Sequence, residues 1–156
     1  LFFPASASGR VKADTTEALQ VFGDVGRAGI QLRFSPQPSS AACPGAAQSY
    51  PPEEAPTSLD VCYGQFPGPG GVSGRTIQLS LANASPLALP HFVGIALGLP
   101  PAPTMAGNLM QPTGSKREGK LTLGQLFWLN ANLGPEFPNC RETPSPCPPL
   151  EFDGVP

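Results

Sequence analysis

Hydrophobic positions along this chain recur with two different periods. Ala18, Val21, Phe22, Val25 and Ala28 fall on one face of a helix. Asp14 precedes that run and Glu17 follows three residues later, so a capping box predicts a helix starting at Asp14 and ending at Gly29. Ile30-Gln31-Leu32-Arg33-Phe34 then alternates strictly, which predicts a strand with Ile30, Leu32 and Phe34 inward. Leu59–Tyr63 is a second strand candidate, and Thr76–Leu81 alternates again as a third. The apolar Leu1-Phe2-Phe3 is read either as the end of a strand or as an arm that docks on a partner.

Two more helices follow. Pro90 is comfortable only in a helix's first turn, where its missing N–H costs nothing. A helix is therefore predicted from near Leu89 to Gly98, with a longer helix kinked at Pro86 as the alternative. Thr122 and Gln125 form a T-x-x-Q capping box, and Leu121 with Leu126 makes a hydrophobic staple. Leu126, Phe127, Asn130 and Leu133 share the face of that last helix, and Gly134-Pro135 supplies its stop.

The chain's 22 Pro and 18 Gly lie mainly between 36 and 74 and after 134. That distribution implies long ordered loops on a compact core, with residues 64–74 read as a Gly/Pro turn region. At 156 residues the expectation is one domain over 1–134 and a Pro-rich tail over 135–156. Net charge is −2 with no basic stripe, which argues against a nucleic-acid partner. No stretch reaches the ~18 apolar residues of a membrane span.

Four Cys are read as two disulfides, Cys43–Cys62 and Cys140–Cys147, the second closing a tight Pro-rich loop. Disulfides imply an oxidising compartment, periplasmic or extracellular, and the start at Leu1, without a Met, is read as the loss of a processed export signal or of another leader. Four free thiols in a cytosolic protein are the alternative. Asn83-Ala84-Ser85 is formally a glycosylation acceptor, weakened by Pro86 directly after it.

The segment His91-Phe92-Val93-Gly94-Ile95-Ala96-Leu97-Gly98-Leu99-Pro100-Pro101 has the spacing of the metzincin motif H-E-x-x-H-x-x-G-x-x-H. Asn108-Leu109-Met110-Gln111-Pro112 is similar to the Met-turn that follows it, and Leu121–Leu126 to the start of the next helix. Across residues 13–133 the order of elements resembles a small matrixin-like metzincin domain. The resemblance implies an α+β, zincin-like fold: a small twisted mixed sheet, about three helices and long Pro/Gly-rich loops. It also implies an empty site. His91 matches the first zinc ligand and Met110 the Met-turn residue, and Gly98 keeps the glycine. Phe92 stands where the general base would be, and Ile95 and Pro101 stand where the other two His would be. One imidazole does not make a catalytic zinc site, which needs three protein ligands and a water, and His91 is the chain's only His.

The expectation is therefore no metal, no cofactor and no catalytic residue. His91 reads most simply as a satisfied residue in a helix's first turn, and Phe92, Ile95 and Leu99 as apolar fill. Glu53 and Glu54, in a Pro-rich loop, read as solvated. The function expected is that of a non-catalytic, extracytoplasmic structural or binding subunit of a larger, envelope or membrane-associated complex, with Leu1, Phe2 and Phe3 and the tail as partner contacts. Two alternatives stand beside it: a hydrolase with an atypical site, and a secreted peptide-binding or inhibitor module. The last predicts an open groove along Thr76–Leu81, with peptide adding to the sheet edge.

Overall fold

The computed structural model describes residues 2–3, 8–22, 37–38, 43, 49–50, 59–83 and 85–133. Their centre is a parallel pair, β4 (Asp60–Gly64) and β6 (Thr76–Ser80), in which Val61 lies opposite Ile77 and Tyr63 opposite Leu79. β5 (Gly70–Ser73) folds back antiparallel on β6 and puts Val72 opposite Ile77. Residues facing each other across strands share a sheet face, so Val61, Ile77, Val72, Tyr63 and Leu79 form one apolar surface, and all are buried. Three short strands complete the sheet. β1 (Phe2–Phe3) pairs with β4 and with β2 (Gln37–Pro38), and β3 (Ser49–Tyr50) lies on the outer side of β5. The order is β2-β1-β4-β6-β5-β3, and of the pairings only β5 with β6 is antiparallel. The architecture is thus α+β with a small mixed sheet.

Helices α1 (Ser8–Val21) and α2 (Ala88–Ala96) pack side by side, α2 against β5 and β6. Helix α3 (Leu123–Leu133) closes the described chain, and a small second sheet pairs β7 (Gly107–Asn108) with β8 (Arg117–Lys120). Ala18, Phe22, Leu89, Val93, Leu109, and Leu129 join the sheet residues in one core.

Several sequence expectations are corrected here. Asp14 does not cap α1; it sits mid-helix, 5% exposed. Arg10 Nε donates to its two carboxylate oxygens at 3.0 and 3.1 Å, and the Tyr63 hydroxyl donates to Oδ2 at 2.9 Å. These partners satisfy a buried carboxylate that local chemistry alone would place at a helix end. Part of the 64–74 turn region is strand: Gly71 and Val72 are buried in the sheet, and glycine leaves no hydropathy signal to alternate. Gly70, at φ 134°, runs so close to the Gln78 carbonyl that any Cβ would collide with it. Phe2 and Phe3 take the strand alternative and not the arm, with their backbone between β2 and β4. On α3 Gly124, Gln125 and Leu129 are buried, while Leu126, Phe127 and Trp128 are half-buried. β6 has a neighbour on each side, and β3 lies against β5 beyond it, so a peptide has no open edge along Thr76–Leu81.

Other expectations hold. The β4 and β6 strands lie where strands were expected, and Cys43 is bonded to Cys62, with Cα atoms 5.6 Å apart. No described helix is long and apolar enough to cross a membrane. The strand over 30–34, Gly29, Leu1, the 140–147 bridge and the tail over 135–156 lie outside the described residues, as do Glu53 and Glu54.

Candidate functional site

Helix α2 begins at an unusual residue. Leu87 has φ 58° and ψ 25°, the left-handed conformation that a branched side chain rarely adopts. Its carbonyl accepts the His91 N–H at 3.0 Å, so the strained residue closes the first turn around Pro90. The helix starts after Pro86, which removes the kinked alternative. At the other end Gly98, at φ 92°, makes a Schellman cap: its N–H reaches Ile95 O at 2.9 Å, and the Leu99 N–H reaches Gly94 O at 2.9 Å. The glycine of the motif therefore has a local structural cause, the end of a short helix.

His91 is 6% exposed. Its Nδ1 lies 2.9 Å from Leu109 O, and since a carbonyl only accepts, Nδ1 carries the proton. Burial pushes the imidazole pKa down to about 4, helped by the Arg117 guanidinium and opposed in part by the bond to Leu109. The ring is therefore neutral at pH 7 and holds a loop in place. Phe92 meets it edge-on, with centroids 5.3 Å apart, and is itself buried in the core.

Met110 lies fully buried beneath α2, where Gly94 leaves room for it: a Cβ on Gly94 would stand 2.6 Å from Met110 Sδ. His91, Phe92, Gly94 and Met110 are thus one packed group. Ile95 is half-buried against the same core. Pro101 is not part of the group; it is exposed, on the rim of a cleft of about 70 Å³ also lined by Pro100, Ala102, Pro103, Met105 and Gln125. Small-molecule sites are usually about 300 Å³ or more, so this cleft is too small to be one. Among the described residues, no three His, Cys, Asp or Glu side chains come together as a metal would require.

What sequence reasoning missed is the polar scaffold around Met110. Asn108 Oδ1 accepts the Met110 N–H at 2.8 Å, an i to i+2 side-chain turn. Asn108 Nδ2 donates to Gln125 Oε1 at 2.8 Å, and Gln125 Nε2 returns a bond to Asn108 Oδ1 at 3.2 Å. Gln125 also completes the predicted capping box. Its Oε1 accepts the Thr122 N–H and its own N–H donates to Thr122 Oγ1, both at 3.0 Å. Gln111 Nε2 donates to the carbonyls of Pro103 and Met105 at 3.0 and 2.7 Å.

Arg117 is buried and holds three acceptors at once. Nε reaches Gln111 O at 2.7 Å, Nη2 reaches Pro112 O at 3.0 Å and Nη1 reaches Ser85 Oγ at 3.1 Å. Burial draws its pKa down to about 10, still charged at neutral pH. The only foresight available for this scaffold was the T-x-x-Q box; the distant pairings of Asn108, Gln111 and Arg117 carry no periodic signal. Among the described residues these groups orient one another and the backbone, and every polar contact of His91, Arg117 and Gln125 given above serves that end. No family model, curated protein or solved structure matches this chain.

Proposed function

We propose that this chain is a metzincin-like domain without zinc chemistry, serving as a structural or binding subunit of an extracytoplasmic, envelope-associated assembly. The observation that carries the reading is the fate of His91. The chain's sole imidazole uses Nδ1 on the Leu109 carbonyl and packs between Phe92 and the loop carrying Met110. A zinc ligand set would need its companions at Ile95 and Pro101, an aliphatic side chain on the core and an exposed proline.

Support for the fold half of the reading is topological. The order α1, strands of a mixed sheet, motif helix α2, Met-bearing turn and α3 is the order of elements on which the resemblance rests. Support for the cellular half is the Cys43–Cys62 bridge, which is compatible with export. A fold that keeps its frame while Phe92 and Ile95 stand in place of the base and the second ligand is retained for its surface.

Two measurements test this. Metal analysis of purified protein should find no stoichiometric zinc, and added zinc should leave the melting temperature unchanged; a tightly held equivalent of zinc would overturn the non-catalytic reading. Isolation from the native source with crosslinking should give a fixed complex, whereas a monodisperse free monomer would overturn the subunit reading.

A further inference from the structure

Arg117 carries a charge that no described neighbour balances. The residue is 9% exposed, and three of the five N–H groups of its guanidinium are engaged, each by a neutral acceptor: Gln111 O, Pro112 O and Ser85 Oγ. One N–H on each Nη is left over. Between Asp60 and Glu118 the sequence holds no Asp or Glu. Glu118 comes directly after Arg117, but it is exposed and pairs with Lys120 at 2.6 Å. The Arg117 charge also reaches His91, whose ring is neutral at pH 7 and offsets nothing. Buried charges are ordinarily paired, so the counter-charge is to be sought outside these residues.

A second donor and a gap lie beside it. Ser85 Oγ accepts from Nη1 at 3.1 Å, and among the described residues the hydroxyl's own hydrogen has no acceptor. Gly114 stands against both groups: a Cβ on it would collide with Ser85 Oγ and lie 3.4 Å from Arg117 Nη1. The carbon that would fill this spot is therefore missing. Ser85 and Gly114 are half-buried and Pro112 is exposed, whereas Gln111, the partner of Nε, is buried. The Nη edge is thus the one that faces outward. Lys116, exposed in the same short turn as Gly114, adds positive charge at the rim.

We propose that the Nη edge of Arg117 and the Ser85 hydroxyl form a binding site for a carboxylate. Its two oxygens offer about four lone-pair positions, enough for both spare Nη hydrogens and the hydroxyl hydrogen. One negative charge also offsets one buried positive charge. A phosphate dianion would bring a second charge, for which the site holds only the exposed Lys116. The three neutral contacts keep Arg117 in place without the ligand, so the site is preorganised. The inference goes beyond the subunit reading and stands without it.

NMR of the guanidinium groups in the full chain tests it, with sodium acetate as the probe at pH 7 and sodium chloride at equal ionic strength as the reference. Expected is a saturable shift of the Arg117 Nη hydrogens with acetate, and none at the exposed Arg75. Ser85→Ala keeps Arg117 and its two carbonyl contacts. It should raise the acetate dissociation constant by about tenfold or more, the worth of one hydrogen bond to a charged group. A shift that does not saturate, an equal response to chloride, or an equal shift at Arg75 would overturn the site. Inorganic phosphate binding more tightly than acetate would overturn the carboxylate class, and an unchanged constant in Ser85→Ala would overturn the part given to the hydroxyl. A small acid and the side chain of a docked protein present the same group, and crosslinking in the native source separates them. Ser85→Ala weakens the complex where the carboxylate is a partner's Asp or Glu and leaves it intact where it is a small acid's. Acetate binding by a chain that proves monomeric would keep the site and overturn the subunit reading.

Discussion

Among the groups acting on His91, Arg117 disfavours a proton and only the Leu109 carbonyl favours one, so burial decides the outcome. An unfolded chain takes up this proton as pH falls through about 6.5, while the folded chain resists until about 4. Below pH 6.5 the unfolded state thus binds more protons, and stability falls with pH until about 4, by about 3 kcal/mol in total. Above 6.5 the ring is neutral in both states and contributes no slope. Urea midpoints measured from pH 7.5 to 4 should decline more steeply for the natural chain than for His91→Gln; equal slopes would show that the imidazole is not buried neutral. Gly94 makes a second residue-scale test. A methyl there meets Met110 Sδ at 2.6 Å inside a filled core, so Gly94→Ala should cost about 1–3 kcal/mol by overpacking. Met110→Ala alone opens a cavity, and the double variant should be more stable than the sum of the two losses predicts. Strict additivity would mean that the two residues do not press on each other.

At the scale of elements, two similar signals had opposite outcomes, and the difference is physical. Thr122 and Gln125 predicted a helix start and make one, because both reciprocal bonds form within the capping box. Asp14 and Glu17 gave the same pattern, yet Asp14 is drawn into the core by Tyr63, a residue 49 positions away. No local rule contains Tyr63, so the start of α1 at Ser8 was not legible. β5 escaped for another reason: two of its four residues are glycine, and pairing with β6 compensates for their poor strand preference. The motif helix was legible at both ends, because Pro90 and Gly98 act through their own backbone. The box at Thr122 also does more than cap. Thr122→Ala should cost about 1 kcal/mol, the ordinary worth of a cap. Gln125→Ala should cost more, about 2–3 kcal/mol, since it also strips the buried Asn108 amide of its partner. Thermal melts of the two variants decide it; equal losses would mean that Asn108 finds another partner.

For the whole molecule, the strand order β2-β1-β4-β6-β5-β3 departs from sequence order at β1-β4, β4-β6 and β5-β3. The local sequence located β4 and β6, but order and direction are set by long-range pairing that leaves no mark in a local window. The cysteines are the exception, since their pairing reports a long-range contact directly. Cys62 alternates with Val61 and Tyr63, so its side chain faces away from the apolar surface those two build. The bridge to Cys43 therefore anchors the segment between β2 and β3 to a central strand on the sheet's other face. Gly64 leaves space for it, because a Cβ there would stand 3.2 Å from Cys43 Sγ and 3.1 Å from the Phe66 ring. With a sequence separation of 19, the bridge restricts the unfolded chain by about 3 kcal/mol. Domains of this kind are stable by only about 5–15 kcal/mol, so the loss would be a large share. Cys43→Ala with Cys62→Ala should lower the urea midpoint and steepen the transition, because an uncrosslinked chain exposes more surface on unfolding. Dithiothreitol should likewise lower the midpoint of the natural chain. An unchanged midpoint in the double variant would show that pairing of β1, β4 and β6 holds the sheet without the covalent tie.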